Sequence, residues 1–182
     1  TFALTVLADL TVAVEAGMIL AALLFIRRVA ATTTVSRVTA DYVEQGRAHI
    51  LQDKPIPENV TIIRIHGPFL FGSTDKLTNL RSDVHDFKRV VILRLRNMTA
   101  IDATGLRAIE EFADTLEASG RTLLLCGAPP QPARLMQRAE FHRHVGAENI
   151  LPNVEAALRR AEEIVSTSNA EPAAPPIPTP VR

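Results

Sequence analysis

The longest predominantly apolar stretch lies near the amino end, where Leu10 to Ile26 reads LTVAVEAGMILAALLFI, only Thr11 and Glu15 are strongly polar, and Ala16 to Ile26 is unbroken. As a helix it would extend about 25 Å, slightly under a bilayer core of ~30 Å. Positive charge follows it, at Arg27 and Arg28, which is the wrong flank for a signal peptide. Nothing later in the chain offers enough apolar surface to wrap it as a buried soluble helix. A lone single-pass anchor would leave Asp9 and Glu15 without a reason, because carboxylates at that depth face a bundle interior or the interface. The pattern therefore predicts the last span of a multispan protein, with the residues after Arg28 on the cytoplasmic side by the positive-inside rule.

After a weakly patterned connector, in which Thr32 to Val38 alternates as a short strand and Asp41 to Leu51 suits a helical turn or two, Lys54-Pro55-Ile56-Pro57 reads as an extended stop. A regular alternation of elements then begins. VTIIRIH from Val60 is a strand, Gly67-Pro68 a break, and Phe69-Leu70-Phe71 a second short strand. Ser73 or Thr74 starts a helix with Leu77, Leu80, Val84 and Phe87 on one face. Val90 to Leu95 has the composition of a strand covered on both faces, and is expected to be central. Arg96 to Thr99 reads as a break, Ala100 to Gly105 as a tight turn, and Leu106, Ile109, Phe112, Ala113 and Leu116 recur at helical spacing. Ser119-Gly120 ends that helix, and Thr122 to Cys126 is the next strand. Pro132 to Phe141 forms a short helix with Leu135, Met136 and Ala139 inward, and Ile150-Leu151-Pro152 a small edge element. Asn153 caps a last helix with Val154, Ala157, Leu158, Ala161 and Val165 as its stripe. Ser166 to Arg182, rich in Pro, Ala, Ser and Thr, is expected to be a disordered tail.

Strands alternating with helices predict an α/β sandwich with a mixed, largely parallel sheet, preceded by a hydrophobic membrane helix. The expected divisions are residues 1–28 for the membrane segment, 29–59 for the connector, 60–165 for the globular domain and 166–182 for the tail. Thr1 in place of a start methionine suggests a piece of a longer or processed product.

Composition narrows the chemistry. With 47% apolar residues in 182, one ordinary core can be buried with length to spare. Twenty basic residues balance twenty acidic ones, so no global basic field points to nucleic acid. The single cysteine, Cys126, sits in an apolar run and reads as a buried core thiol, which excludes disulfide frameworks and Cys-x-x-Cys metal sites. Among five histidines only His142 and His144 are close, with no carboxylate or cysteine cluster beside them, so no metal or other cofactor is assigned.

The strand-turn-helix around Asp102-Ala103-Thr104-Gly105 carries the candidate chemistry. Such a turn sets the first N–H groups of a helix, at the positive end of its dipole, at the carboxyl edge of a sheet. Asp102 can cap the helix, Gly105 permits close approach of another backbone, and Thr104 presents a hydroxyl at the helix start. The plainer reading of these residues is capping and packing alone. Asp102, Thr104 and a distant histidine could be drawn as a hydrolytic trio, but nothing brings a histidine to the loop, and no enzyme is expected.

In combination, TFALTVLADLTVAVEAGMILAALLFIRR from Thr1, IIRIHGPFLFGSTDKL from Ile62 and VVILRLRNMTAIDATGL from Val90 resemble the carboxyl-terminal end of the SulP anion permease family, a final span followed by a STAS domain. The resemblance implies a homodimeric secondary transporter of small anions such as sulfate, bicarbonate or dicarboxylates, multi-pass in the inner (plasma) membrane. Its STAS domain would lie in the cytoplasm and regulate transport through protein partners. The family's substrate site lies in earlier spans, so these residues alone would transport nothing. In stand-alone STAS proteins that antagonise anti-sigma factors, the residue before the loop glycine is a phosphorylated Ser or Thr. Here that position is Thr104, while Ala103 replaces a second small hydroxyl residue. The alternative implied is a phosphorylation-controlled binding module tethered by the apolar helix. Without a glycine-rich phosphate loop, any nucleotide or anion contact at this turn would rest on the helix start and on Arg107 or Arg134.

Overall fold

In a computed structural model, residues 10–38, 57–81 and 83–169 are described. The readings made above for residues 1–9, for the Asp41 to Leu51 segment and Lys54 to Ile56 of the connector, and for the tail beyond Asn169 lie outside them.

Five strands form one sheet in the order β1-β2-β3-β4-β5: β1 Thr34–Val38, β2 Val60–Phe69, β3 Val90–Ile101, β4 Thr122–Cys126 and β5 Ile150–Leu151. The edge strand β1 runs antiparallel to β2, and β2 through β5 are mutually parallel. The expected mixed, largely parallel sheet is therefore present, with β3 at its centre. Parallel neighbours need crossovers. These are supplied by α2 (Asp75–Thr78) with two 3-10 turns, α3 (Ala103–Ala118), and α4 (Pro130–Arg138) with α5 (His142–Val145). The last helix, α6 (Val154–Asn169), follows β5, and α1 (Leu10–Ala31) precedes β1.

The apolar run Val90 to Leu93 that opens β3 follows from burial on both sides. Val91, Leu93 and Leu95 join Leu106, Ile109, Phe112 and Leu116 of α3, with Met136 and Phe141, in the larger core. Val90 and Ile92 face the other way, onto Ala157, Leu158 and Ala161 of α6. Cys126 belongs to this second core, where burial pushes its thiol up to about 11.

Several local expectations change. Arg96 to Thr99 is no break: β3 continues to Ile101 because β2 continues beside it to Phe69. Gly67-Pro68 does not end β2 either. Register shifts between Arg64 and His66, and between Gly67 and Pro68, absorb the irregularity. Gly67 takes φ +91, and a Cβ there would lie 3.2 Å from the Thr32 carbonyl oxygen, so the bulge accepts glycine where another residue would strain. Phe69 closes β2 and Phe71 falls in a turn, so no separate second strand forms. The helix expected from Ser73 to Phe87 is broken into α2 and two 3-10 turns, although Leu77, Val84 and Phe87 are buried as read. Of the residues read as inward around α4, Met136 is buried and Leu135 packs partly against the core, but Ala139, just past the end of α4, is exposed. The last helix runs through Asn169, so Ser166 to Asn169 is helical rather than tail.

Over Leu10–Ala31 the apolar stretch is helical, and its large side chains stay exposed, Phe25 at 68% and Met18 and Ile19 at 63%. Among the described residues no helix is long and apolar enough to cross a membrane. Glu15 lies near the start of this continuous helix and Arg27 and Arg28 near its end, with Ala16 to Ile26 uncharged between them. The end of α1 is tied to the sheet. Thr33 donates its hydroxyl to the Pro68 carbonyl, and Lys76 donates its ammonium to the Thr33 carbonyl and, at 3.5 Å, to that of Ala31.

Candidate functional site

Where β3 ends, the chain turns into α3 through Asp102, whose extended backbone (φ −107, ψ −178) makes it the residue before the first helical turn. Its two carboxylate oxygens do different work. Oδ1 accepts from the Gly105 N–H at 2.7 Å, satisfying one donor that the helix leaves open, and Oδ2 accepts from the Phe71 N–H at 2.9 Å. One side chain therefore joins the start of α3 to the turn after β2. Serine at 73 closes that turn from within, its hydroxyl donating to the Leu70 carbonyl at 2.6 Å and accepting from the Leu70 N–H at 2.9 Å.

Gly105 is buried, and a Cβ built there would meet the Phe69 carbonyl oxygen at 2.3 Å. The helix start is thus pressed directly onto the end of β2. Ala103 and Thr104, by contrast, are exposed, and the Thr104 hydroxyl stands on the first turn of α3 at the carboxyl edge of the sheet.

Arg107 lies one turn beyond Thr104 and pairs with Glu111 at 3.2 Å, both side chains exposed at 77% and 45%. A solvated i,i+4 pair of this kind contributes about 0.5 kcal/mol or less and is readily exchanged for another anion. Arg134 is not brought to the loop: it sits on α4, where its Nε donates to the Pro130 carbonyl at 3.1 Å. The residue of α4 that does reach the site is Gln131. Its Oε1 accepts from the Ile101 N–H at 3.0 Å and its Nε2 donates to the Ile101 carbonyl at 2.9 Å, so the amide replaces a missing neighbouring strand at the end of β3. Sequence reasoning missed Gln131 and Phe71. A Gln after a Pro-Pro pair was the only available signal for the first, and none marked the second.

No group of three or more His, Cys, Asp or Glu side chains suited to a metal ion occurs among the described residues. His144 instead contacts Asp114 at 3.2 Å on the surface, and His142 begins the short α5. What the Asp102–Gly105 edge offers chemically is a fixed, exposed hydroxyl at a helix start with one exchangeable guanidinium a turn away. Asp102→Ala should remove both carboxylate contacts and cost about 1–2 kcal/mol in equilibrium unfolding. Asp102→Asn, which keeps an acceptor, should cost less than half of that, and equal losses for the two would refute the capping role.

Residues 52–157 match the family model of the STAS domain, and the chain belongs to that family. The crystal structure of a sulfate transporter family protein from Wolinella succinogenes is 34% identical, covering 63% of this chain and 94% of that one, with a TM-score of 0.59. That relationship makes this the STAS domain type of the SulP sulfate transporters. A putative sulfate transporter, YvdB, from Bacillus subtilis (strain 168) is 27% identical over 150 residues, 82% of this chain. The chain spans only 27% of that relative's length. The unphosphorylated anti-sigma factor antagonist SpoIIAA shares the fold, at 13% identity and a TM-score of 0.50 over 60% of this chain and 94% of its own. The relatives are transporters and STAS domains rather than enzymes.

Proposed function

We propose that the chain is the carboxyl-terminal part of a SulP-type secondary anion transporter, in which the STAS domain regulates transport from the cytoplasm and binds protein partners. The observation that carries this reading is the joint alignment with a putative sulfate transporter over 82% of the chain, more than the STAS domain alone occupies. The helix α1, with its exposed Leu20, Leu23, Leu24 and Phe25, fits against membrane-embedded spans of the same polypeptide and lipid, and Arg27 and Arg28 fit the cytoplasmic interface. The ties from Thr33 and Lys76 would then transmit the position of that helix to the sheet edge bearing Phe71 and Asp102. Homodimeric assembly, transport of sulfate, bicarbonate or dicarboxylates, and the absence of any enzymatic activity belong to the same proposal.

The test is uptake into proteoliposomes by the complete transporter that carries this sequence at its end. Labelled sulfate, bicarbonate or a dicarboxylate should enter, and removing residues 60–165 should change the rate. Failure to move any of the three anions would defeat the proposal.

A second reading has its own observation, the exposed Thr104 hydroxyl at the start of α3. Phosphate there would add about 1.5–2 negative charges, favoured by the helix dipole and by Arg107 one turn on, and opposed by the Asp102 carboxylate. A surface recognised by a partner would change affinity sharply. In pull-downs with kinase-treated protein, partner release that disappears in Thr104→Ala supports the phospho-switch. Absence of phosphate at Thr104 under every condition removes it.

A further inference from the structure

On the sheet face opposite the Asp102–Gly105 loop, a cleft of about 450 Å³ opens where β4 ends. Arg94 and Arg96 of β3, the Gly127-Ala128 loop and the first residues of α6 line it. Arg94 is only 8% exposed, on the central strand, in a lateral row with Arg64 of β2 and Cys126 of β4. Its Nη1 is buried without a hydrogen-bond partner, alone in this respect among the described side chains. An unmet guanidinium donor in such a place is destabilising unless an anion completes it.

Among the described residues, no group is bonded to Arg94 Nη1 as such an anion would be. Burial pushes the Cys126 thiol up to about 11, so at neutral pH it is protonated and uncharged. Burial, and after it the like charges of Arg64 and Arg96, lower the Arg94 pKa from its ordinary value. Among the described residues Glu155 is the one carboxylate lining the cleft, and it has interactions of its own. Opposite the arginines stands the amino end of α6, a 16-residue helix. Asn153 caps it by accepting from the Ala156 N–H at 2.9 Å, while the Val154 N–H, in the first turn beside the cleft, has no acceptor within the helix.

We infer that the cleft between Arg94, Arg96 and the start of α6 binds a small tetrahedral oxyanion, inorganic sulfate or phosphate. Arg94 provides the buried donor, Arg96 the exposed one at the mouth, and the helix start the opposing N–H. Glu155 limits the affinity by repulsion, which favours release over tight capture. The site is independent of the transport reading, since it uses only residues of the globular domain.

The experiment is thermal unfolding of the full 182-residue chain in detergent, with sodium sulfate or sodium phosphate titrated against sodium chloride at constant ionic strength. Each oxyanion should raise Tm saturably, by about 5 °C at saturation, whereas chloride should not. Comparing the two midpoints tells which oxyanion the site prefers. Arg94→Leu should unfold at a higher temperature than the parent without oxyanion, because a buried unmet charge is gone, and should lose the oxyanion response. Arg96→Gln, an exposed change that leaves the fold intact, should weaken binding about tenfold, and Glu155→Gln should strengthen it. Equal oxyanion responses in the parent, Arg94→Leu and Arg96→Gln would reveal general salt stabilisation and overturn the site, as would no response in the parent.

Discussion

Gly105→Ala is expected to lower stability by about 3 kcal/mol and Tm by roughly 10 °C or more, an unusual penalty for a single methyl group. The added Cβ would lie 2.3 Å from the Phe69 carbonyl oxygen, and 3.0 Å from both Ile101 Cγ1 and Phe69 Cδ1. The nearest atom is backbone of a central parallel strand, held in register with Ile101 of β3, so it cannot swing aside as a side-chain end would. Relief must come from α3. Moving that helix start outward would lengthen the 2.7 Å bond from the Gly105 N–H to Asp102 and loosen the bond from the Phe71 N–H to the same carboxylate. The substitution should therefore disturb the loop and the fold together. Chemical denaturation measures the first effect, and amide exchange at Phe71 and Gly105 the second. A stability loss below about 0.5 kcal/mol would show that the close approach is not a constraint.

Phe112→Ala should cost still more, about 4 kcal/mol, since it deletes a ring in the larger core. Phe112 is fully buried on α3 and meets Phe87 edge to face, with centroids 6.2 Å apart at 75°. Phe87 in turn lies under the Arg37 guanidinium at 5.7 Å, and that side chain also donates to the Asp86 carbonyl at 3.2 Å. Truncation at 112 thus removes the support of the ring that joins the Val84–Asp86 turn to β1. Phe112→Leu, which retains most of the volume, should cost about 1 kcal/mol. Urea titrations of the two variants should separate them clearly, and comparable midpoints would mean that the core collapses around the void. In a domain of ordinary stability, about 5–15 kcal/mol in total, the alanine variant approaches the limit of folding.

Neither effect depends on the proposed transport role, and both bear on how the loop is held. The Asp102–Gly105 turn is fixed by a carboxylate with two duties, by a glycine against a carbonyl, and by Gln131 at the end of β3. A modification at Thr104 would act on a rigid platform, where added charge changes recognition rather than being absorbed by backbone motion.

Much of this arrangement was legible in the residues. Val90 to Leu93 and Leu123 to Cys126 are apolar on both faces, a pattern that an interior parallel strand accommodates. Leu106, Ile109, Phe112 and Leu116 declare a helix by spacing, and Asp102 and Asn153 declare its start and that of α6 by their chemistry. These are local properties, carried by periodicity and by side chains that bond their own backbone a few residues on.

What the chain could not announce was decided between segments distant in sequence. Arg96 to Thr99 looks like a break because it is polar, and it is strand because β2 lies alongside with bulges that keep the pairing. Gln131 serves the end of β3 across 30 residues, and Phe71 meets Asp102 across 31. Arg94 reads in sequence as one more charge in a strand; only the closing of α6 over that face buries it and leaves its Nη1 unmet. Periodicity records which face of an element is apolar, whereas burial of a charge, a missing hydrogen bond or a 2.3 Å approach exists only once two elements have been brought together.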